Sequence, residues 1–130
     1  MIEYPQYKKL SDEYIIGKIA DFLVEDIPNG DITTESTTPD NSEITAEIHA
    51  VEKLVFAGSE IIPHCFGKNC QVTINHKNGA MLSKGDVIGV VTGSAREILS
   101  RERIMLNLIQ RLCGIATLSH EYAEIAKPSN

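Results

Sequence analysis

Residues 94–117 read SAREILSRERIMLNLIQRLCGIAT. Ser94 with Glu97 three residues on has the form of a capping box, the serine hydroxyl taking an orphan N–H and the glutamate reaching back to the serine. At ~100° per residue, Arg96, Ser100, Arg103, Asn107, Gln110 and Arg111 then share one arc, with Met105, Leu108, Ile109 and Leu112 opposite. The stretch predicts an amphipathic helix that runs to about Cys113 and stops at Gly114. Arg101 and Glu102 fall inside the apolar arc, where the projection gives them no role.

Every arginine of the chain lies in this segment, although the protein as a whole carries a net charge of −6. Arginine stays charged and forms planar, bidentate hydrogen bonds with carboxylates and phosphates. Concentrating it in one element of an acidic protein predicts a local anion site, not a surface for polyanions. Nucleic acid is a poor partner, because no broad basic stripe or aromatic platform appears.

Working outward, Ser94 follows a buried-looking strand, Val87 to Val91, closed by Gly93. Lys84-Gly85-Asp86 is a turn, and Asn78-Gly79 fits a tight hairpin turn with positive φ at both residues. Val72-Thr73-Ile74 is a short strand. Ser59 to Phe66 predicts a short helix if Pro63 sits in its first turn, and Lys53 to Ala57 is short and apolar. Between Ser42 and Glu52, Ile44, Ala46, Ile48 and Ala50 alternate with Glu43, Thr45, Glu47 and His49, the pattern of a strand with one wet face. Pro28-Asn29-Gly30-Asp31 is a turn. Ser11 with Asp12 and Glu13 opens a helix whose stripe is Tyr14, Ile15, Ile19, Phe22 and Leu23 and whose end is near Val24 or Glu25. After Gly114 a separate helix is expected over 116–126. This order predicts an α+β layer structure, and 130 residues make one ordinary domain.

No apolar run approaches the ~20 residues of a membrane span, and Met1 to Leu10 lacks the pattern of a signal peptide. The three cysteines are an odd number, so a complete disulfide framework is excluded and a reduced, cytoplasmic setting is expected. His64, Cys65, Cys70 and His76 have a spacing unlike the usual zinc patterns, and no metal site is expected. Cys65 and Cys70 read as core or semi-buried thiols. Asp26, Asp31, Thr33 and Thr34 read as turn and capping chemistry. The Lys84-Gly85-Asp86-Val87 turn is also similar to those of lipoyl-type carrier modules, but no lysine stands at the tip of a matching hairpin.

Arg101-Glu102-Arg103-Ile104-Met105-Leu106-Asn107-Leu108, followed by Gln110-Arg111-Leu112-Cys113-Gly114-Ile115-Ala116-Thr117, resembles the signature of the nicotinate-nucleotide pyrophosphorylase, or quinolinate phosphoribosyltransferase, family. That signature has Glu-Arg, a variable pair, Leu-Asn, then Ser-Gly-Ile-Ala-Thr; Cys113 replaces the usual serine. Glu25-Asp26-Ile27 with Gly30-Asp31-Ile32-Thr33-Thr34 is similar to a second family stretch, and Ala57-Gly58, Lys84-Gly85-Asp86 and Gly93 fall at its turn glycines. The resemblance covers about residues 10 to 125.

The resemblance implies an open antiparallel sheet with helices, the hammerhead-like N-terminal domain of the family, without the α/β barrel that follows it. Residues 1–130 would be a substrate-binding and dimerising domain. The implied reaction converts quinolinate and phosphoribosyl pyrophosphate to nicotinate mononucleotide, pyrophosphate and carbon dioxide in NAD biosynthesis. Magnesium would assist the full-length enzyme through ligands not in this chain. Arg103 would bind a substrate carboxylate in the active site of a neighbouring subunit, with Asn107, Arg111 and Arg96 in support. No catalytic residue is expected here, and the chain alone should be inactive. A homodimer or higher oligomer with exposed apolar surface is implied. The alternatives are a related barrel protein of molybdenum-transport type and a free-standing interaction module.

Overall fold

A computed structural model describes residues 8–26, 39 and 41–128. The elements are α1 (Asp12–Asp26), β1 (Glu43–His49), β2 (Leu54–Val55), α2 (Ile62–Cys65), β3 (Cys70–Ile74), β4 (Met81–Leu82), β5 (Val87–Ser94) and α3 (Ala95–Ile125). The expected α+β fold is the one formed: an antiparallel sheet in the order β1-β5-β3, a second pair β2-β4, and the helices. Among the described residues no helix is long and apolar enough to cross a membrane.

The alternation in β1 sets the faces of the sheet. Ile44, Ala46 and Ile48 turn inward, while Glu43, Thr45, Glu47 and His49 are exposed. On the wet face the Thr45 and Thr92 hydroxyls meet at 3.1 Å. The dry face packs on a core in which Phe56, Ile62, Leu82, Val91 and Cys65 are essentially fully buried. Burying a side chain such as Phe56 or Ile62 contributes roughly 1.5–3 kcal/mol.

α1 begins where the sequence places it, with the Ser11 hydroxyl accepting from the Tyr14 N–H at 3.2 Å. Ile15 and Ile19 are buried; Tyr14 is exposed and lies beside Lys18 instead of on the core. Pro63 occupies the first turn of α2, where its missing N–H costs nothing. The turn at Pro28–Asp31, and Thr33 and Thr34, lie outside the described residues.

Four expectations need correction. Asn78-Gly79 does not join two paired strands, because β3 pairs with β5 and β4 with β2. Only Gly79 has positive φ, 91°, and Ala80 N–H donates to Lys77 O at 3.1 Å, the pattern of a type II turn. Asn78 instead uses its side chain, its Oδ1 accepting from the N–H groups of Gly58 and Ser59 at 2.9 and 3.0 Å. Gly93 does not close β5 but lies within it, opposite both Ile44 and Cys70. The capping box is half formed. Ser94 Oγ accepts from Glu97 N–H at 3.3 Å, but the Glu97 carboxylate accepts from the Cys70 thiol at 3.6 Å and lies 3.9 Å from Arg101.

The largest correction is at Gly114. α3 is one helix of 31 residues and continues through it. A mid-helix glycine costs only about 1 kcal/mol relative to alanine, and tertiary ties across it outweigh that. Thr117 Oγ1 donates to Cys113 O at 2.6 Å and accepts from Val55 N–H at 2.9 Å, while the Cys113 thiol donates to Ala57 O at 3.6 Å. The second half of α3 is thereby fastened to β2 and the segment after it.

Candidate functional site

The face of α3 that the projection separates is exposed from Arg103 onward, while Arg96 and Ser100 at its start are half-buried. Ile98, Met105, Ile109 and Cys113 are buried, and Arg103, Asn107, Gln110 and Arg111 are solvent-exposed. Ile104, beside the arc, is also buried.

α1 packs alongside the first half of α3, and two open grooves lie along that seam. The larger, about 680 Å³, has Phe22, Ile104 and Leu108 as apolar lining and Glu25, Asn107 and Arg111 as polar lining. The smaller, about 430 Å³, is lined by Ser100, Arg103 and Leu106 among others. Asp26 and Asn107 border both.

The Arg103 side chain is 76% exposed, and its Nη1 lies 4.0 Å from Asp26 Oδ1. One guanidinium nitrogen thus lies at the outer limit of ion-pair contact with a carboxylate, beyond hydrogen-bond distance. An arginine has five N–H donors in a planar fork, so most of them remain available to a ligand. Arg111 and Asn107 share the groove region. Arg96 is half-buried in the first turn of α3 and lines neither groove. Arg101 points elsewhere, its side chain only 29% exposed. The arrangement suits binding and orientation of an anion at an open surface.

Sequence reasoning missed Asp26 as a partner of Arg103. The available signal was an acid at the C-terminal end of a helix, where the dipole disfavours it.

The cysteine and histidine set does not converge. His64 Nε2 lies 3.5 Å from Asp12, Cys70 is turned to Glu97, and all three thiols are free. Burial pushes the Cys65 thiol up to about 12. Burial and the Glu97 charge push Cys70 up to about 11. Both favour the neutral thiol, which is a poor metal ligand and nucleophile. Among the described residues no group of three or more His, Cys, Asp or Glu side chains fits a metal ion.

Next to the two seam grooves, with Leu106 and Gln110 on the boundary, an apolar groove of about 560 Å³ includes Ile48, Val51, Leu54 and Leu118. Ile115, Leu118, Tyr122 and Ile125 on the second half of the helix are exposed.

A family model described as the N-terminal domain of quinolinate phosphoribosyl transferase matches residues 31–113. A probable nicotinate-nucleotide pyrophosphorylase (carboxylating) of Bacillus subtilis (strain 168) is 46% identical over 103 residues, covering 77% of this chain and 35% of the relative. A chloroplastic nicotinate-nucleotide pyrophosphorylase of Arabidopsis thaliana is 35% identical over 111 residues, covering 82% of this chain and 32% of the relative. The solved nicotinate-nucleotide pyrophosphorylase from Francisella tularensis superposes with a TM-score of 0.85 at 26% identity, covering 94% of this chain and 44% of that one. The chain therefore spans about a third of the length of these curated relatives.

Proposed function

We propose, since the chain belongs to the family of quinolinate phosphoribosyltransferase N-terminal domains, that it serves as the substrate-binding and dimerising domain of such an enzyme in NAD biosynthesis. Arg103 is the residue assigned to the substrate. Quinolinate is a dicarboxylate, and a guanidinium matches a carboxylate in charge and planar geometry. The observation that carries the reading is the exposure of Arg103: 76% of its side chain faces outward at the edge of a groove. An arginine so placed is offered to something outside its own domain, which fits an active site completed by the barrel of a second subunit.

The role of Arg103 is binding and orientation. No proton transfer is assigned to it, because arginine keeps its charge at any pH of interest. Holding the pyridine ring by a carboxylate fixes the ring nitrogen relative to the phosphoribosyl donor, and such orientation lowers a barrier without chemistry at the arginine. Asn107 and Arg111 flank the same grooves and are assigned supporting contacts, with Arg96 more remote. Magnesium would act on the pyrophosphate of the donor. Among the described residues no group of three or more His, Cys, Asp or Glu side chains fits such an ion, and its ligands are assigned to the barrel. The chain alone is expected to show no transferase activity. The exposed apolar residues of α3 support association into a dimer or higher oligomer, which sedimentation at rising concentration would detect.

The test is Arg103→Ala in the enzyme that joins this domain to its barrel. Loss of a charged hydrogen-bonding partner of a ligand costs about 2–5 kcal/mol, so kcat/KM should fall roughly 30-fold or more. The thermal midpoint should hardly move, since Arg103 is exposed. Unchanged kinetics would remove Arg103 from the site.

A further inference from the structure

The C-terminal end of α1 is built against the usual electrostatic preference. Helix C-termini carry partial negative charge and favour cations, yet the last turn of α1 has no basic residue and ends in Glu25 and Asp26. Helix stability alone gives no reason for two acids there. The reason lies across the seam. Asp26 Oδ1 is 4.0 Å from Arg103 Nη1, and Glu25 and Asp26 share the larger groove with Arg111.

We propose that Asp26 is a positioning residue for Arg103. It holds one edge of the guanidinium at the groove, aided by the negative end of the α1 dipole, and leaves the remaining donors for a carboxylate of an incoming pyridine dicarboxylate. This rests on the reading of Arg103 as the substrate contact. A long, exposed arginine otherwise samples many rotamers, and ordering it before the ligand arrives reduces what binding must offset. Asp26 suits the task because it is itself partly sheltered, 32% exposed, at the end of an ordered helix. An exposed pair is screened by salt and its effect is modest.

The experiment compares Asp26→Asn, which keeps shape and removes charge, with Asp26→Glu, in the enzyme joined to its barrel. Asp26→Asn should raise KM for quinolinate about three- to five-fold with kcat within about two-fold, and Asp26→Glu should recover at least half of that change. In an Arg103→Ala background Asp26→Asn should add nothing to the loss of kcat/KM. That silence separates positioning through Arg103 from a structural role, which would lower both backgrounds alike. An equal loss in both backgrounds, an unchanged KM or a lowered KM would each overturn the proposal. If Arg103→Ala is impaired and Asp26→Asn is not, only this inference falls. If Arg103→Ala is itself unimpaired, the functional reading fails and this inference with it.

Discussion

Arg101 Nη1 donates to the carbonyl oxygen of Cys65 at 3.4 Å. Cys65 is the last residue of α2, and the final carbonyls of a helix have no partner within it. The arginine that falls in the apolar arc of α3 is therefore a cap on a second helix, held also by Glu97 one turn back at 3.9 Å. Two residues on, Arg103 points to solvent. Of the two arginines, one is spent on the fold and the other is left facing outward.

Removing this cap should be measurable. Arg101→Ala is expected to destabilise the chain by about 1–2 kcal/mol, the cost of leaving a part-buried carbonyl without its donor. Urea denaturation would report it as a lowered midpoint with an unchanged slope. A variant as stable as the parent would mean that water satisfies the Cys65 carbonyl equally well.

Gly114→Ala should go the other way. Gly114 sits inside α3, and an added Cβ would meet no atom within 4 Å. Alanine should stabilise the isolated chain by about 0.5–1 kcal/mol through helix propensity and a less disordered unfolded state. A loss of helical circular dichroism in this variant would contradict the continuous helix.

Gly93→Ala should be severe. Gly93 has φ 147° in the central strand, and a Cβ there would collide with the Asn69 carbonyl oxygen and the Cys70 Cα. Backbone strain and displacement of β3 together should cost more than about 2 kcal/mol. Thermal denaturation of the purified variant, or its failure to accumulate as soluble protein beside a well-expressed parent, reads this out.

Alkaline pH should weaken the fold through the thiols. Burial raises Cys65 to about 12 and, with the Glu97 charge, Cys70 to about 11, against about 8.5 in an unfolded chain. A folded pKa above the unfolded one gives stability that is complete below about pH 8.5 and lost as pH climbs through the folded values. The thermal midpoint should therefore decline between about pH 8.5 and 11, and Cys70→Ala should flatten that decline. Near neutral pH the native thiols should react far more slowly with an aromatic disulfide reagent than they do in urea.

The sequence was informative where the deciding physics is local. The period of two in β1 and the helical period of α3 are properties of neighbouring side chains, so the wet face of the sheet and the exposed arc of Arg103, Asn107 and Arg111 were readable in advance. Gly114 misled because the local penalty of glycine is small beside the ties from Thr117 to Val55 and from Cys113 to Ala57, which depend on β2 lying under the helix. Asn78-Gly79 misled for a related reason. Its signal is that of a turn between adjacent strands, whereas the Asn78 side chain organises the turn at Gly58 and Ser59 from a distance. Asp26 was only half legible: an acid at the C-terminal end of a helix marks it as unusual, but its contact with Arg103 exists only once α1 has docked on α3.

The unbroken course of α3 through Gly114 fixes a phase as well as a length. From Arg103 to Tyr122 the helix runs as one piece, about 28 Å at ~1.5 Å per residue. Whatever seizes the apolar second half thereby sets both the reach and the compass bearing of the guanidinium. A single residue inserted between them would swing Arg103 by about 100° around the helix axis relative to that half. An insertion of seven would restore the bearing to within about 20° but overshoot by about 10 Å. The helix is a ruler with an angular scale, and its length over this interval should tolerate no insertion or deletion.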